Sequence, residues 1–357
     1  MTDQPSLAEL CPEVEAWLAG DPDPVTRAEL TELLDAGDVT ALAERFTHPL
    51  QFGTAGLRGE LGAGPARMNR SVVRRTTAGV ASWVLDCGRG AAAAGVVVGR
   101  DARHGSERFA ADVIDVLTSF GVAVHVLAPP LPTPLTAFAV GRLGAAAGIV
   151  VTASHNPAPD NGYKVYAGDG AQIIPPDDAD IASAAAREPT QPEGTTAGVV
   201  TDVTEGVLAS YRTAVLGLLD PDGPRDLRVI YTPMHGVGGA VLPGLLRAAG
   251  FDAPHIVAEQ ADPDPDFPTL PFPNPEEPGA LDLAVAEAAR VGADVVLAND
   301  PDADRLAVAV PGRDGTWRSF TGNELGILLA EECLRVTTGA DRLVATTVVS
   351  SSMLSAL

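Results

Sequence analysis

Residues 148–164 read Gly-Ile-Val-Val-Thr-Ala-Ser-His-Asn-Pro-Ala-Pro-Asp-Asn-Gly-Tyr-Lys, an apolar run that breaks abruptly into a polar loop. Residues 148–151 are continuously apolar, which predicts a strand covered on both faces rather than one with a wet side. Upstream, apolar runs at 95–99 and 122–127 alternate with helical spacing over 106–120 and 133–143. The order is β-α-β-α-β.

Residues 1–40 are rich in Asp, Glu, Leu and Ala and predict a helical extension, broken by Asp21-Pro22-Asp23-Pro24. Composition marks 187–198 as a linker. A second unit comes next, with strands expected at 227–231, 255–258, 294–298 and 305–310, helices at 239–249 and 279–291, and a hairpin around Arg313-Asp314-Gly315. A helix over 323–335 and a strand over 343–349 would begin a further sheet. One helix and one strand cannot cover a sheet, so that domain reads as incomplete. The expected fold class is α/β, with consecutive mixed α/β domains and helices packed on mostly parallel sheets.

The 357 residues exceed what one core usually supports. Of them, 46% are hydrophobic and only 4% aromatic, which suits helices on a parallel sheet. A net charge of -23 disfavours nucleic acid, whose binding needs clustered cations. Cys11, Cys87 and Cys333 form no C-x-x-C pair, so neither a zinc site nor a disulfide framework is indicated. No leader-like amino terminus or membrane-length apolar run is present, and a cytoplasmic protein without membrane contact is expected.

Two loops stand where open α/β sheets place ligand groups, at the carboxyl ends of strands. In Asn299-Asp300-Pro301-Asp302-Ala303-Asp304-Arg305, carboxylates at every second residue repel unless they converge on a cation. A hard divalent ion such as Mg²⁺ takes oxygen ligands of this kind, the alternative being a solvated acidic turn. An EF-hand would need Gly where Arg305 stands and Glu where Pro311 stands. A metal-dependent haloacid-dehalogenase-like phosphatase with Asp300 as nucleophile stays open. In the second loop, Ser154 alone could be a helix cap. His155, Asn156 and Pro157 add polarity and stiffness, and Asp160-Asn161-Gly162 reads as a tight turn delivering Tyr163 and Lys164. A serine-hydrolase reading lacks the G-x-S-x-G elbow, and His155, adjacent in sequence, looks poorly placed as its base.

Lys164 is the one lysine among 24 basic residues. Unlike arginine, it can exchange a proton near neutral pH. Residues 52–59, Phe-Gly-Thr-Ala-Gly-Leu-Arg-Gly, match no dinucleotide fingerprint but could bring backbone amides and Arg58 to an anion; a bare flexible turn is the other reading. Residues 231–239 join a strand to a helix around His235, which could meet an anion or be a satisfied structural histidine.

Taken together, 52–59, 152–157, 161–164, 232–238 and 300–305 resemble the α-D-phosphohexomutase superfamily of phosphoglucomutases and phosphomannomutases. With Pro273-Asn274-Pro275-Glu276-Glu277, they are most similar to its phosphoglucomutase and phosphopentomutase branch. The resemblance implies a phosphosugar mutase that interconverts sugar 1-phosphate and sugar 6-phosphate, of glucose or mannose, through a phosphoserine at Ser154 and a bisphosphorylated intermediate. It implies one Mg²⁺ per chain, held by the Ser154 phosphate with Asp300, Asp302 and Asp304, and a sugar 1,6-bisphosphate activator. It implies catalytic roles for Ser154, His155, Arg58 and Lys164, with Arg58, Arg305 and His235 meeting substrate. The implied partner is a small phosphosugar; nothing bears on oligomeric state. The expected domains are an extension over 1–40, domain I over 41–205, domain II over 206–314 and a partial domain III over 315–357. Neither the family's Gly-Glu sugar loop of domain III nor its Arg-x-Ser-Gly-Thr phosphate loop of domain IV is found, so domain IV is expected to be absent. A non-catalytic sugar-phosphate or metal-binding fragment therefore remains the other alternative.

Overall fold

The computed structural model describes residues 5–53, 56–88, 90–187 and 197–356. Thr54 and Ala55 of the glycine-dense stretch, and most of the linker expected over 187–198, lie outside the described residues. The chain divides into two compact units, Met1–Val207 and Leu208–Leu357.

The first unit opens with helices α1 (Leu7–Gly20), α2 (Pro24–Ala36) and α3 (Val39–Phe46). Asp23 caps α2 by accepting from the Val25 amide at 3.0 Å, with Pro24 at the first helical position. The three helices bury Leu10, Val14, Trp17, Leu30, Leu42 and Phe46 in a core of their own. After them come strand β1 (Leu57–Glu60), α4 (Arg70–Asp86), α5 (Ala91–Ala94), β2 (Val96–Arg100), α6 (Ser106–Ser119), β3 (Val124–Val126), α7 (Thr133–Leu143), β4 (Ala147–Val151), β5 (Asp160–Ala167), α8 (Asp177–Ala185) and β6 (Val200–Asp202). The sheet order is β1-β5-β4-β2-β3-β6. Its inner pairs β4–β2, β2–β3 and β3–β6 are parallel, whereas β1–β5 and β5–β4 are antiparallel. All five residues of β4 are buried. Val96, Val98, Ile149 and Val151 share one core with residues of α4, α6 and α8, while α7 also packs on β2 and β4. Each fully buried aliphatic side chain of this kind contributes about 1.5–3 kcal/mol.

The second unit begins within α9 (Thr204–Leu216) and continues through β7 (Val229–Thr232), α10 (Leu242–Ala248), β8 (His255–Ile256), α11 (Asp282–Val291), β9 (Val295–Asn299), β10 (Leu306–Pro311), β11 (Trp317–Ser319) and α12 (Gly322–Val336). Its sheet order is β11-β10-β9-β7-β8, parallel across β9–β7–β8 and antiparallel across β9–β10–β11. Both sheets are thus mixed, and the strands that carry the two loops, β4 and β9, each pair in parallel on one side and antiparallel on the other.

Two expectations are corrected. Asp160-Asn161-Gly162 is not a tight turn but the start of β5, pairing with Glu60, Gly59 and Arg58. The chain reverses earlier, between Ser154 and Pro159, because β1 supplies partners for those backbone groups. Residues 343–349 form no strand: no described strand pairs with them, and Leu343 is 91% exposed. A strand needs a neighbour to take its amides and carbonyls. Among the described residues no helix is long and apolar enough to cross a membrane.

Candidate active site

The serine loop leaves β4 at Val151. Ser154 is buried and adopts φ 53°, a left-handed conformation that costs a side-chain-bearing residue roughly 1–2 kcal/mol. Its amide donates to Thr152 Oγ1 at 2.8 Å, and its Oγ lies 3.1 Å from His155 Nδ1. The adjacent histidine therefore does reach the serine hydroxyl, contrary to the expectation. Neighbouring side chains of an extended strand diverge, but the left-handed residue folds these two together. Arg58, on β1, donates to Asn156 Oδ1 at 3.1 Å, and Asn156 in turn donates to Asp160. Lys164 is buried on β5, in register with Val150 of β4. Two residues earlier on β5, Gly162 permits close packing, since a Cβ there would lie 2.5 Å from the Thr152 carbonyl oxygen.

In the second unit, β9 runs into the aspartate loop. Asp300 and Asp302 are fully buried and Asp304 is exposed; one carboxylate oxygen from each lies within 4.8 Å of the others. Three hard oxygen donors so grouped fit Mg²⁺. Asp300 Oδ1 also accepts from the Arg305 amide at 3.0 Å. Ala303, between two of the carboxylates, is left-handed at φ 54°. The Arg305 side chain is exposed. Burial, and after it the charge of Asp300, pushes the Tyr231 phenol above its ordinary range; its hydroxyl donates to Asn299 Oδ1 at 3.0 Å.

The turn after β7 supports this loop. The Val237 amide donates to the Pro301 carbonyl at 2.9 Å, and a Cβ on Gly236 would lie 2.3 Å from Pro301 Cα. Met234 and His235 are left-handed. The His235 ring meets Thr269 Oγ1 at 2.8 Å through Nε2, and Thr269 accepts from Gln260 Nε2, while Gln260 Oε1 accepts from Thr232. Burial lowers the His235 pKa below 6.5, opposed by the charge of Asp264. The ring is thus engaged in an internal network. Among the described residues, four of the five non-glycine positions with positive φ lie in these loops, which is where functional strain collects.

The structure groups Ser154, His155 and Arg58, places Lys164 on the strand behind them, and gathers the three aspartates with His235 in the supporting turn of the second unit. Sequence reasoning missed Asp101 and Arg103. They come directly after buried β2, and Arg103 donates to carbonyls of the serine loop, including that of Ser154 at 2.7 Å. The same strand-end position that flags Ser154 and Asp300 would have found them.

Residues 49–192 match the model of phosphoglucomutase/phosphomannomutase alpha/beta/alpha domain I, and 197–313 that of domain II. The chain is 40% identical to the phosphoribomutase of Saccharomyces cerevisiae over 349 residues, 90% of this chain and 56% of that protein. It is 37% identical over 330 residues to the glucose 1,6-bisphosphate synthase of Homo sapiens, 87% of this chain and 53% of that one. It spans about half the length of these relatives. A solved phosphoglucomutase/phosphomannomutase family protein from Burkholderia thailandensis superposes with a TM-score of 0.65 at 27% identity, over 80% of this chain and 58% of that one. With the models of both domains matched in sequence over most of its length, the chain belongs to the phosphoglucomutase/phosphomannomutase family.

Proposed function

We propose that this chain carries the phosphoryl-transfer portion of a phosphosugar mutase, with Ser154 as phosphoryl carrier. The observation that supports it most directly is the buried, left-handed Ser154 whose Oγ is hydrogen-bonded to His155. In the first transfer a sugar hydroxyl oxygen bonds to the phosphorus on Ser154, the Oγ–P bond breaks, and the hydroxyl proton passes to a base, the role suited to Lys164. In the second, the bond between the sugar oxygen and its other phosphoryl group breaks, that oxygen takes back the proton held by Lys164, and the phosphorus bonds to Ser154 Oγ. Its own proton is then handled through His155. Arg58 meets phosphate charge beside the loop, and Arg305 and His235 are the further residues that the family resemblance assigns to substrate.

Mg²⁺ held by Asp300, Asp302 and Asp304 would supply charge neutralisation, the chief requirement of phosphoryl transfer. The substrate class is an aldose 1-phosphate. The sequence reading favours glucose or mannose, and the relative named phosphoribomutase extends the class to ribose. A sugar 1,6-bisphosphate is the activator that loads the serine.

The test is intact-mass analysis after incubation with glucose 1,6-bisphosphate and Mg²⁺. The wild type gains one phosphate and Ser154→Ala gains none. Equal uptake by Ser154→Ala overturns the assignment, and steady phosphate release surviving in that variant would favour a phosphatase using Asp300.

A further inference from the structure

Arg103 lies 51 residues before Ser154, and its side chain is 1% exposed. Its Nη2 donates to the carbonyls of Ser154, at 2.7 Å, and Asn156. Its Nη1 donates to those of Pro157, at 2.8 Å, and Asp160, at 3.1 Å. One guanidinium thus gathers four carbonyls from the nucleophile to the first residue of β5. Its Nε faces Asp101 Oδ2 at 3.5 Å. Asp101 is equally buried, and its Oδ1 accepts from the Arg103 amide at 3.0 Å and from Ser106 Oγ at 2.5 Å. Asn161 closes the ring, donating to Ser106 Oγ at 3.0 Å and accepting from the Gly162 amide at 2.6 Å.

Burying a guanidinium against carbonyl oxygens is an expensive way to brace a loop unless the loop's shape matters. The planar fork is what makes the arrangement possible, since its donors diverge in fixed directions, whereas lysine offers three donors at one point. The geometry points to Arg103 as the positioning residue of the phosphoryl carrier: anchored by Asp101, it holds Ser154 in its left-handed conformation and so sets the aim of Oγ. This rests on the reading of Ser154 as that carrier. Arg103 touches backbone, not substrate, so its effect falls on the transfer rate and not on affinity.

The variants are Arg103→Lys, which keeps the charge but loses the fork, and Asp101→Asn, which keeps the fork but loosens its anchor. Phosphate uptake from glucose 1,6-bisphosphate with Mg²⁺ is monitored by intact mass. Arg103→Lys is expected to lower the rate at saturating bisphosphate by about 100-fold, the scale of a misplaced reacting atom. The half-saturating concentration should stay unchanged, and Asp101→Asn should show a smaller loss of the same kind.

Hydrogen exchange supplies a readout independent of uptake. In Arg103→Lys the amides of Ser154 and Asn156 should exchange faster, while Ile149 and Val165 in the neighbouring strands keep wild-type rates. A wild-type uptake rate in Arg103→Lys, or an equal rise in half-saturation, overturns the proposal. If the wild type takes up no phosphate, the carrier reading fails and exchange alone decides whether Arg103 sets the loop; unchanged protection of Ser154 then overturns it. Should Arg103→Lys not fold, both readouts are taken on Asp101→Asn, where wild-type uptake and unchanged protection overturn the proposal.

Discussion

The serine loop and the aspartate loop both leave the carboxyl end of a buried strand and both contain a left-handed residue with a side chain, yet they are held in opposite ways. The serine loop is gripped by a buried guanidinium on its carbonyl oxygens. The aspartate loop is propped by a neighbouring turn, through the Val237 amide and the bare Cα of Gly236 against Pro301. A loop that must carry a phosphate can tolerate positive charge behind it. On the proposed reading the other gathers a cation, and the neutral groups of the turn suit that role. The strand-end position is shared, and on the proposed reading the sign of the ligand separates the two supports.

The largest effect that would break this comparison is on the cation. Asp302→Asn removes a buried charge from the cluster and should weaken Mg²⁺ binding by more than the roughly 100-fold that losing an outer-shell partner can cost. Calorimetric titration of the unphosphorylated chain should show Ser154→Ala binding Mg²⁺ like the wild type. Equal weakening in both variants would mean that the loops do not divide the work by charge.

A smaller effect compares the two glycines. Gly236→Ala and Gly162→Ala each place a Cβ 2.3–2.5 Å from backbone atoms and should destabilise their own units by about 1–3 kcal/mol in denaturant unfolding. Gly236→Ala should also weaken Mg²⁺ binding, and Gly162→Ala should not. The reverse pattern would show that the turn does not support the aspartates.

The smallest effect is a pH dependence in the second unit. His235 is held below its ordinary value of 6.5 by burial, so the native state disfavours its protonation. The stability it contributes is present above the unfolded value and is lost as pH falls from about 6.5 toward the lower folded value. Unfolding curves between pH 8 and pH 5 should show His235→Gln flattening the second unit's pH response. A slope unchanged in that variant would remove His235 as its source.

Much of both loops was legible from residue order. The buried runs before Thr152 and Asn299 and the polar residues after them located Ser154 and the three aspartates. Burial on both faces leaves a local signature, and the residues just past a strand's carboxyl end emerge at the edge of the sheet. The contact from Ser154 to His155 was not legible, since it depends on one backbone angle of 53° that serine only rarely adopts. The His235 network was no clearer, because Gln260 and Thr269 carry no local signal.

The sequence by itself determined which segments are apolar enough to become strands, where each polar loop begins, and that a hydroxyl stands in one loop and a run of carboxylates in the other. Only the tertiary structure decided that residues 160–162 are strand rather than turn, that 343–349 do not pair, and that Arg103 reaches the serine loop. The physical reason is common to all three. Periodicity reports a residue's own surroundings, whereas a hydrogen bond needs a partner, and the partners Glu60, Gly59 and Arg58 for β5, or Ser154 for Arg103, arrive through strand order in the sheet.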